Sequence, residues 1–411
     1  MATRNIAAAP VRSAEITAPG GGLDGLRVAL FSGNYNCVVD GANRALNRLT
    51  THALSRGLGM RIYSPTIANP AMCPAGDLVS VPSFPIPGRP EYQLAPRLPG
   101  SIARDVQSFR PDVVHVSAPD GLGMGAVRLA RRMGVPVVAS MHTRFETYLE
   151  FYRLGFLRGI AEAWLRRFYN QCDVLLVPNE VIAQQLRAIG VGTPTRLWAR
   201  GVDRAQFNPS RRSLSWRRMH GIADHEIVLL FFGRLVLEKG LAVFAEADSE
   251  LRRAGVPFRT LIIGEGPERR RLERTLPHAH FTGHLDGDRL AQAVASADIL
   301  VNPSLTEAFG NVTLEAMACG VVPVAADVPV NRLLIEDRRT GLLVEGSAPS
   351  AYARAVRELS AAPASLRMMA RAAAGSADDF RWDDMLDAVI VTYAEAKRPS
   401  GAMRPAFLEW R

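Results

Sequence analysis

The chain has 411 residues, which exceeds what one typical hydrophobic core supports and suits two domains. Apolar residues make up 48% and charged residues 22%, the ordinary balance of a water-soluble globular protein, and no apolar run is long enough to predict a membrane span. The net charge of +9 favours anionic partners such as phosphates, nucleic acid or an anionic membrane surface. Four cysteines without any CxxC pair predict neither a disulfide framework nor a zinc site, and they fit a reducing compartment.

The N-terminal segment, residues 1–25, lacks the apolar stretch of a secretory signal. It contains alanine and arginine with few acids, as organellar transit peptides do. Its low hydrophobicity and its terminal glycine cluster favour a flexible tail instead. We therefore expect the folded part to begin at Leu26.

In the first half, short apolar segments alternate with helical patterns. Helices are predicted over residues 42–56, around 102–109 and over GAVRLARRMG, and a proline-rich loop is predicted over 81–99. The predicted strands are RVALFSG, RIYSP, PDVVHVSAP, VPVVASMHT, DVLLVPN and TRLWARGVD. Continuous apolar runs of this length, separated by helices, are typical of buried parallel strands in βαβ units.

The second half repeats this alternation after a basic separator, SRRSLSWRRMHG. Its predicted strands are EIVLLFFGRL, FRTLIIGEGP, HFTGHL, DILVNPS and VVPVAAD. The chain is therefore predicted to be α/β, with two doubly wound Rossmann-like domains over residues 26–208 and 209–385. Residues 386–411 are expected to form a C-terminal helix and tail that pack back on the first domain.

Ligands of open α/β sheets bind beyond the carboxyl ends of the strands, so the loops after the strands are the places to search. After VLLFFG come Gly233 and Arg234, and Lys239 follows five residues later. A small residue at the strand end and two cations near a helix start suit a diphosphate, because arginine binds phosphate bidentately and helix amides add positive charge. On spacing alone, two solvated surface cations explain the pattern equally well.

After DILVNPS comes SLTEAFGNVTLEAMACG, which places Glu307 in a loop and Glu315 about one turn inside a helix over 311–319. The helix start offers amides without an intrahelical partner at Gly310, Asn311 and Val312. Such amides bind phosphate, and carboxylates beside them accept hydrogen bonds from sugar or ribose hydroxyls. Either glutamate alone is explained by favourable contact with the helix dipole. The two acids, the glycine turn and the two upstream cations together predict a ligand site.

Three further features are weaker. His142 follows the strand VPVVAS, where a histidine is more often a structural hydrogen-bonding residue than a catalytic one. Gly41 begins a predicted helix, where backbone can approach a phosphate closely. Asp286 and Asp288 form an Asp-x-Asp pattern, for which turn and cap chemistry is the preferred explanation over a metal site. The chain has no GxGxxG dinucleotide fingerprint after its first strand and no P-loop.

Taken in order, these segments resemble the family 4 retaining glycosyltransferases of the GT-B fold, in which two Rossmann-like domains face a central cleft. The resemblance is closest in the second half, through FFGRLVLEKG, IIGEGPERRRLE, FTGHL, ADILVNPSLTEAFGNVTLEAMACGVVPVAAD and TGLLVE. The first half is similar more loosely, through NYNCVVDGANRALNRL, VVHVSAP, SMHT and LVPN…WARGVDRAQFNP. It is closer to the lipid-directed branch, which includes GDP-mannose-dependent α-mannosyltransferases and sulfoquinovosyl-diacylglycerol synthase-like enzymes.

The resemblance implies a role for each residue of the second-half site. Arg234 and Lys239 would bind the donor diphosphate and stabilise the departing nucleotide. Glu307 would contact the hydroxyls of the donor sugar, and Glu315 the ribose. The amides of residues 309–312, beginning with Phe309, would hold sugar and phosphate.

The resemblance also implies that Leu285 borders the base, that His142 lies beside the donor sugar, and that Gly41 belongs to the loop approaching donor and acceptor. It implies no metal and no cofactor, since cations and the helix dipole replace the metal, and it assigns no general base. One segment departs from the family. Its common Pro-Asn-Gly-Val-Asp is ARGVD here, so Arg200 replaces the asparagine and leaves donor or acceptor recognition open.

The predicted activity is retaining transfer of a hexose from a nucleotide-diphosphate sugar to a lipid or glycan, with GDP-mannose favoured over UDP-sugars. The alternatives are a nucleotide-sugar epimerase of the same fold and a non-catalytic protein that binds nucleotide sugar or membrane. Nucleic-acid binding is not expected, because no module for it accompanies the charge.

The segment RLGFLRGIAEAWLRRFYNQ is similar to an amphipathic interfacial helix, with Trp164, Leu165 and Phe168 near Arg166 and Arg167. Peripheral contact with an anionic membrane is one explanation, and it would place the protein in the cytoplasm at the inner face of the membrane. A helix packed on its domain with solvated arginines explains the pattern equally well.

Overall fold

A computed structural model of the chain describes residues 25–38, 40–86, 89–142 and 155–397. Contacts between Cα atoms divide these residues into two compact units. One is Gly201–Trp382, and the other joins residues 25–200 to residues 383–397. The predicted N-terminal tail up to residue 24 and the C-terminal residues 398–411 lie outside the described part.

The unit of residues 25–200 is built on a seven-stranded parallel sheet. Its strands in chain order are β1 (Arg27–Phe31), β2 (Gly59–Ser64), β3 (Asp77–Ser80), β6 (Val113–Val116), β7 (Val137–Ser140), β8 (Val174–Val177) and β9 (Thr195–Leu197). The spatial order is β3-β2-β1-β6-β7-β8-β9. Every residue of β6, β7 and β8 is buried, which explains why these strands are continuous apolar runs in the sequence.

The predicted proline-rich loop over 81–99 contains an antiparallel hairpin instead, made of β4 (Phe84–Ile86) and β5 (Arg89–Leu94). The sequence pattern does not predict this hairpin, because proline is disfavoured in strands and Pro85 lies inside β4. A strand paired on one side only, as here, tolerates proline.

Helices connect the strands of this unit, and the C-terminal helix of the chain also belongs to it. They are α1 (Gly41–Ser55), α2 (Gly100–Phe109), α3 (Gly121–Met133), α4 (Arg158–Tyr169), α5 (Glu180–Ala188) and, at the C-terminus, α13 (Trp382–Lys397). Tyr393 of α13 is buried, and its hydroxyl lies 2.6 Å from Nδ1 of His115 in β6. The C-terminal helix thus packs on the first sheet.

The unit Gly201–Trp382 is built on a six-stranded parallel sheet of β10 (Ile227–Phe232), β11 (Phe258–Ile263), β12 (His280–Gly283), β13 (Ile299–Asn302), β14 (Val322–Ala326) and β15 (Leu342–Val344). Its spatial order, β12-β11-β10-β13-β14-β15, is that of the Rossmann fold. The chain leaves β10 in one direction for β11 and β12 and later returns to its other side with β13. The order therefore reverses between β10 and β13, where such sheets bind ligands.

The helices of this unit are α6 (Leu214–Met219), α7 (Leu241–Arg253), α8 (Arg269–Thr275), α9 (Gly287–Ala295), α10 (Asn311–Ala318), α11 (Pro349–Ala361) and α12 (Pro363–Ser376). Within the basic separator of the sequence, α6 buries Arg217 completely. Its guanidinium pairs with Asp298 at 3.2 Å and donates to the carbonyl of Ser296. A buried arginine is stable only with such partners, so this segment is packed structure.

The predicted α/β class with doubly wound parallel sheets is confirmed in both units. Among the described helices, none is both long enough and apolar enough to cross a membrane.

Candidate active site

The reversal point of the second sheet brings together most of the residues predicted from the sequence. Gly233, Arg234 and Lys239 follow β10, and Glu307 follows the neighbouring strand β13. Leu285 follows β12, two strands away from β10 at the edge of the same sheet.

The loop after β10 lies tightly against its neighbours. Gly233 has φ +142, a value that side chains rarely allow, and a Cβ on it would lie 3.9 Å from Cγ1 of Val312 at the start of α10. Gly264, after β11, has the same φ, and a Cβ on it would lie 1.9 Å from the carbonyl oxygen of Gly233. Only glycine fits at position 264, and this contact fixes where the backbone of Gly233 lies.

The start of α10 presents backbone amides to the loop region. Gly310 is the N-cap residue with φ +98, and no side chain caps the helix. The first amides of α10, at Asn311 and Val312, therefore have neither a side-chain cap nor an intrahelical partner. Phe309 is 7% exposed and packs edge-on against Phe380, so that residue contributes backbone to the site while its ring belongs to the core.

An ion pair joins the two loops. Nζ of Lys239 lies 2.6 Å from Oε1 of Glu307, with side-chain exposures of 26% and 10%. Lys239 ends a short 3₁₀ turn, and Gly240 turns the chain into α7 with φ +70. A Cβ on Gly240 would lie 2.8 Å from the carbonyl oxygen of Pro303, so the lysine loop packs directly on the loop that carries Glu307.

Arg234 and Glu315 complete the set in this unit. Arg234 is exposed, and its guanidinium has no hydrogen bond or ion pair within the described part of the chain. Glu315 is the fifth residue of α10 and is partly exposed. The arrangement combines an unpaired cation, a paired cation, free amides and two carboxylates at one end of the sheet, which can bind a phosphorylated and hydroxylated ligand.

The Asp-x-Asp pattern lies elsewhere in this unit. Asp288 pairs with Arg211 at 3.1 Å, and Asp286 is the N-cap residue of α9. Within residues 25–38, 40–86, 89–142 and 155–397, no group of three or more histidine, cysteine or acidic side chains is arranged to hold a metal ion.

The remaining two predicted residues belong to the other unit. Gly41 is the first residue of α1, beside Asp40, whose Oδ1 accepts a hydrogen bond of 2.8 Å from the amide of Asn43. His142 follows β7 and is partly exposed. Both of its ring nitrogens have partners: Nδ1 lies 2.7 Å from Nη2 of Arg200, and Nε2 lies 2.8 Å from Oγ of Ser140.

The surroundings of His142 keep its imidazole neutral. Burial lowers the pKa of His142 well below its ordinary value, and the charge of Arg200 and the neighbouring His115 lower it further. Burial also lowers the pKa of His115 to about 3. Neither histidine gains charge near neutral pH.

Sequence reasoning missed the polar residues that support His142. Ser140 and His115 lie inside strands whose apolar pattern defined them, and Tyr393 comes from the distant helix α13. The one available signal was the polar residues His115 in VVHV and Ser140 in VVAS, since polar groups buried in a strand need hydrogen-bond partners. Arg200 was visible as a departure from the family pattern, but its contact with His142 was not.

Comparison with known proteins finds a glycosyltransferase family model in each half of the chain. Residues 39–206 match the family described as Glycosyltransferase Family 4, and residues 226–362 match that described as Glycosyl transferases group 1. A GDP-mannose-dependent alpha-mannosyltransferase of Mycolicibacterium smegmatis is 34% identical over 333 residues, which cover 78% of this chain and 84% of that protein.

Two further similarities agree. The sulfoquinovosyl transferase of Arabidopsis thaliana is 36% identical over 249 residues, or 59% of this chain, and the chain spans about half (48%) of its length. The crystal structure of HepE from Anabaena in complex with UDP has the same fold, with a TM-score of 0.72 at 16% identity, over 90% of this chain and all of that one. The chain therefore belongs to the family 4 glycosyltransferases, and it is a glycosyltransferase.

Proposed function

We propose that the protein transfers a hexose, with retention of anomeric configuration, from a nucleotide-diphosphate sugar to a lipid or glycan acceptor. GDP-mannose is the favoured donor and a UDP-sugar the next. The observation that carries the proposal is the Lys239–Glu307 pair beside the uncapped start of α10, at the reversal point of the second sheet.

The diphosphate is bound by the cations and the amides. Arg234 supplies a guanidinium that is exposed and unpaired within the described residues, and it can hold two phosphate oxygens at once. The amides of Asn311 and Val312 add the positive end of the helix dipole. Lys239 has three N–H donors, so it can keep Glu307 and also contact a phosphate oxygen.

The carboxylates orient the hydroxyl groups of the donor. Glu307 lies in the loop between β13 and α10 and accepts hydrogen bonds from the sugar. Glu315 lies one turn further along α10 and accepts from the ribose. Leu285, on the edge side of the sheet, borders the base. The family resemblance assigns His142 to the donor sugar and Gly41 to the loop that approaches donor and acceptor.

The reaction breaks the bond between the anomeric carbon and the diphosphate oxygen and forms a bond from that carbon to the acceptor oxygen on the same face. The acceptor's proton moves to the leaving phosphate oxygen, so no side chain serves as general base. Negative charge that develops on the diphosphate meets Arg234, Lys239 and the amides of α10, which lower the barrier without a metal ion.

Donor identity is tested by ligand-induced stabilisation. A ligand that binds only the native state raises the melting temperature, so GDP, UDP, ADP and their sugars are compared at equal concentration. The similarity to a GDP-mannose-dependent enzyme over 78% of the chain supports GDP and GDP-mannose as the strongest stabilisers. A panel in which no nucleotide shifts the transition contradicts the proposal.

Product analysis then separates the proposed reaction from its alternatives. Donor and acceptor together yield an α-linked product from an α-linked donor, at the same initial rate in EDTA and in Mg²⁺. Conversion of the donor to another nucleotide sugar without acceptor identifies an epimerase instead. Binding with no turnover identifies a non-catalytic protein.

A lipid acceptor is supported by an exposed apolar stripe in the first unit. Phe156 in the 3₁₀ turn before α4, and Ile160 and Trp164 in α4, are spaced four residues apart and are 78%, 69% and 42% exposed. Arg166 and Arg167 lie at the other end of α4, so the helix combines exposed apolar groups with cations, as interfacial helices do. We therefore place the enzyme in the cytoplasm, peripherally on anionic membrane.

A further inference from the structure

We propose that Arg200 is a positioning residue that fixes His142 as a neutral imidazole carrying its proton on Nε2. The inference rests on the proposed function in one respect only, the placement of His142 beside the donor sugar. The geometry that carries it lies entirely within the unit of residues 25–200.

The tautomer follows from the chemistry of the two partners. Nη2 of Arg200 lies 2.7 Å from Nδ1 of His142, and a guanidinium can only donate. Nδ1 must therefore accept, which leaves it without a proton. In a neutral ring the proton then belongs to Nε2, which donates to Oγ of Ser140 at 2.8 Å.

Arg200 itself is held rigidly. Its side chain is buried, at 4% exposure, and Nη1 donates to the carbonyl oxygen of Trp198 at 2.9 Å. Its guanidinium carbon lies 5.0 Å from the centre of the Trp198 ring, a cation–π distance. Within the described residues no carboxylate pairs with Arg200. The cation is stabilised by the carbonyl oxygen, the indole ring and His142 instead.

The same indole ring also holds His142. The two rings pack edge-to-face with centroids 5.0 Å apart, so the imidazole is fixed at both nitrogens and against Trp198. A ring held in this way keeps one orientation, and every nitrogen already has a partner. Neither ring nitrogen of His142 is therefore free to transfer a proton. In the proposed function, this residue has a positional role beside the donor sugar.

The charged and titratable groups around His142 come from three other segments. Arg200 follows β9, His115 lies in β6 with Nε2 2.7 Å from Oγ of Ser140, and Tyr393 of α13 contacts the far nitrogen of His115 at 2.6 Å. Burial lowers the pKa of Arg200 to about 10, so it remains a cation near neutral pH. The pKa of His115 is lowered to about 3 and that of Tyr393 is raised, so both stay neutral there.

The identity of residue 200 matters because the family commonly has asparagine at this place. The amide nitrogen of asparagine lies only two bonds beyond Cβ, whereas the terminal nitrogens of arginine lie five bonds beyond it. An asparagine on the same backbone does not reach Nδ1. The fixed tautomer is therefore a property of chains that carry arginine here.

The test is direct detection of the ring nitrogens by NMR in the full-length protein labelled with ¹⁵N-histidine. His142→Gln identifies the His142 signals by their loss. In the wild type we expect a neutral ring protonated on Nε2, unchanged between pH 5 and 8. A proton on Nδ1, or titration of this ring between pH 5 and 8, overturns the proposal without any need for substrate.

Variants at position 200 separate positioning from a general structural role. Arg200→Met removes the donor and the charge, so His142 should titrate at a higher pH than in the wild type and lose its single tautomer. Arg200→Lys keeps a cationic donor and should restore the Nε2–H form at least in part, while Arg200→Asn should behave like the methionine variant. If the methionine variant does not fold, the lysine and asparagine variants make the same comparison. Equal spectra in the wild type and in all folded variants contradict the proposal.

Kinetics provide the second measurement. The wild type should show no change in kcat/KM from His142 between pH 5.5 and 8. Arg200→Met should lose activity toward acid pH, and His142→Gln combined with Arg200→Met should abolish that loss. An acid loss that persists in the double variant does not arise from His142 and counts against the proposal. If no donor supports turnover, the proposed function fails while the NMR result still decides the role of Arg200.

Discussion

Nζ of Lys239 lies 2.6 Å from Oε1 of Glu307, although 68 residues separate them in the chain. The contact joins the loops after two adjacent parallel strands, β10 and β13, at the point where strand order reverses. In the proposed function, this contact would hold the cation for the leaving diphosphate and the carboxylate for the sugar together before the donor binds. Such preorganisation is what electrostatic catalysis requires.

Replacing Lys239 with alanine should reduce kcat by about 100- to 1000-fold, the usual effect of removing one preorganised donor from a developing anion. The fold should persist, because the pair is partly exposed and lies outside the core. Initial rates at saturating donor measure the effect. The matched control is Arg338→Ala, which breaks the exposed Arg338–Glu358 pair of the same unit and should leave the rate unchanged. Full activity in the Lys239 variant contradicts the site assignment.

Variants of Glu307 and Glu315 should differ in how they change the affinity for the nucleotide and for the nucleotide sugar. Glu315→Ala should weaken GDP and GDP-mannose alike, by roughly tenfold or more, because a ribose contact is common to both and a hydrogen bond to a charged group contributes about 1.5–3 kcal/mol. Glu307→Gln, which keeps a partner for Lys239, should weaken GDP-mannose and leave GDP unchanged. Isothermal titration calorimetry measures both ligands.

Glu358→Ala, at an exposed carboxylate of the same unit, is the control for the loss of one negative charge. It should alter neither affinity. If Glu307→Gln weakens GDP as strongly as GDP-mannose, the assignment of Glu307 to the sugar is wrong.

The second unit could be predicted further from sequence than the first. Its candidate site residues lie in loops that follow strands, so the strand pattern and the glycine turn at Gly310 predict the candidate site without any long-range contact. The pairing of Lys239 with Glu307 needs the order of strands in space, which periodicity does not contain. The resemblance of the segments to a known family supplied the roles that spacing left open.

The support of His142 could not be predicted for a different reason. Ser140, His115 and Tyr393 are spread over three elements, and their contacts depend on how α13 packs on the first sheet. Local pattern assigns a buried strand to VVHV and gives no partner for its histidine. Tertiary packing decides which polar groups are in contact, and the local pattern of a single sequence does not reveal that packing.

Gly264→Ala should destabilise the protein more than Gly255→Ala does. Both glycines have positive φ, but a Cβ on Gly255 meets no atom within 4 Å, whereas a Cβ on Gly264 would lie 1.9 Å from the carbonyl oxygen of Gly233. Gly255→Ala is the control, and backbone strain should lower its free energy of unfolding by about 1 kcal/mol. The test variant should lose several kcal/mol more, because strands β10 and β11 must shift.

Thermal melting measures the difference between these two variants. The new methyl group of Gly264→Ala should displace the backbone of Gly233, so this variant should also weaken GDP binding. Gly255→Ala should not. Equal melting temperatures for the two variants would show that the backbone contact contributes nothing to the position of this loop.

Asp120→Asn should make the protein more stable at pH 7 than the wild type, but not at pH 4. Burial raises the pKa of Asp120 from 3.8 to about 6. The folded state therefore binds this proton more tightly than the unfolded chain, and the stability that the group contributes is present below about pH 4 and is lost as pH rises through 6. The shift corresponds to about 3 kcal/mol, an order-of-magnitude value.

Asparagine keeps the capping bond, because its Oδ1 can still accept from the amide of Gly123, which lies 2.7 Å from Oδ1 of Asp120. Melting temperatures of both proteins across pH 4 to 7 test the prediction. The curves should diverge between pH 4 and 6 and remain apart above that range. Parallel curves would show that Asp120 titrates alike in the folded and unfolded states.

Phe156→Ser combined with Ile160→Ser should weaken binding to anionic vesicles by at least about tenfold. Burying an apolar side chain of this size contributes about 1.5–3 kcal/mol, and these two are 78% and 69% exposed in the protein. Co-sedimentation with phosphatidylglycerol-containing vesicles at low salt measures the bound fraction. Binding of the wild type should also fall with salt, because the arginines of α4 contribute electrostatically.

The matched control replaces Met219 and Met368, which are 78% and 66% exposed in the other unit. Because these methionines lie far along the chain from α4, their replacement by serine should leave vesicle binding intact if the stripe on α4 is the docking surface. Equal losses in both variants would indicate non-specific adsorption of exposed apolar groups. A wild type that stays in the supernatant with anionic vesicles at low salt rules out docking, and the acceptor must then reach the enzyme in soluble form.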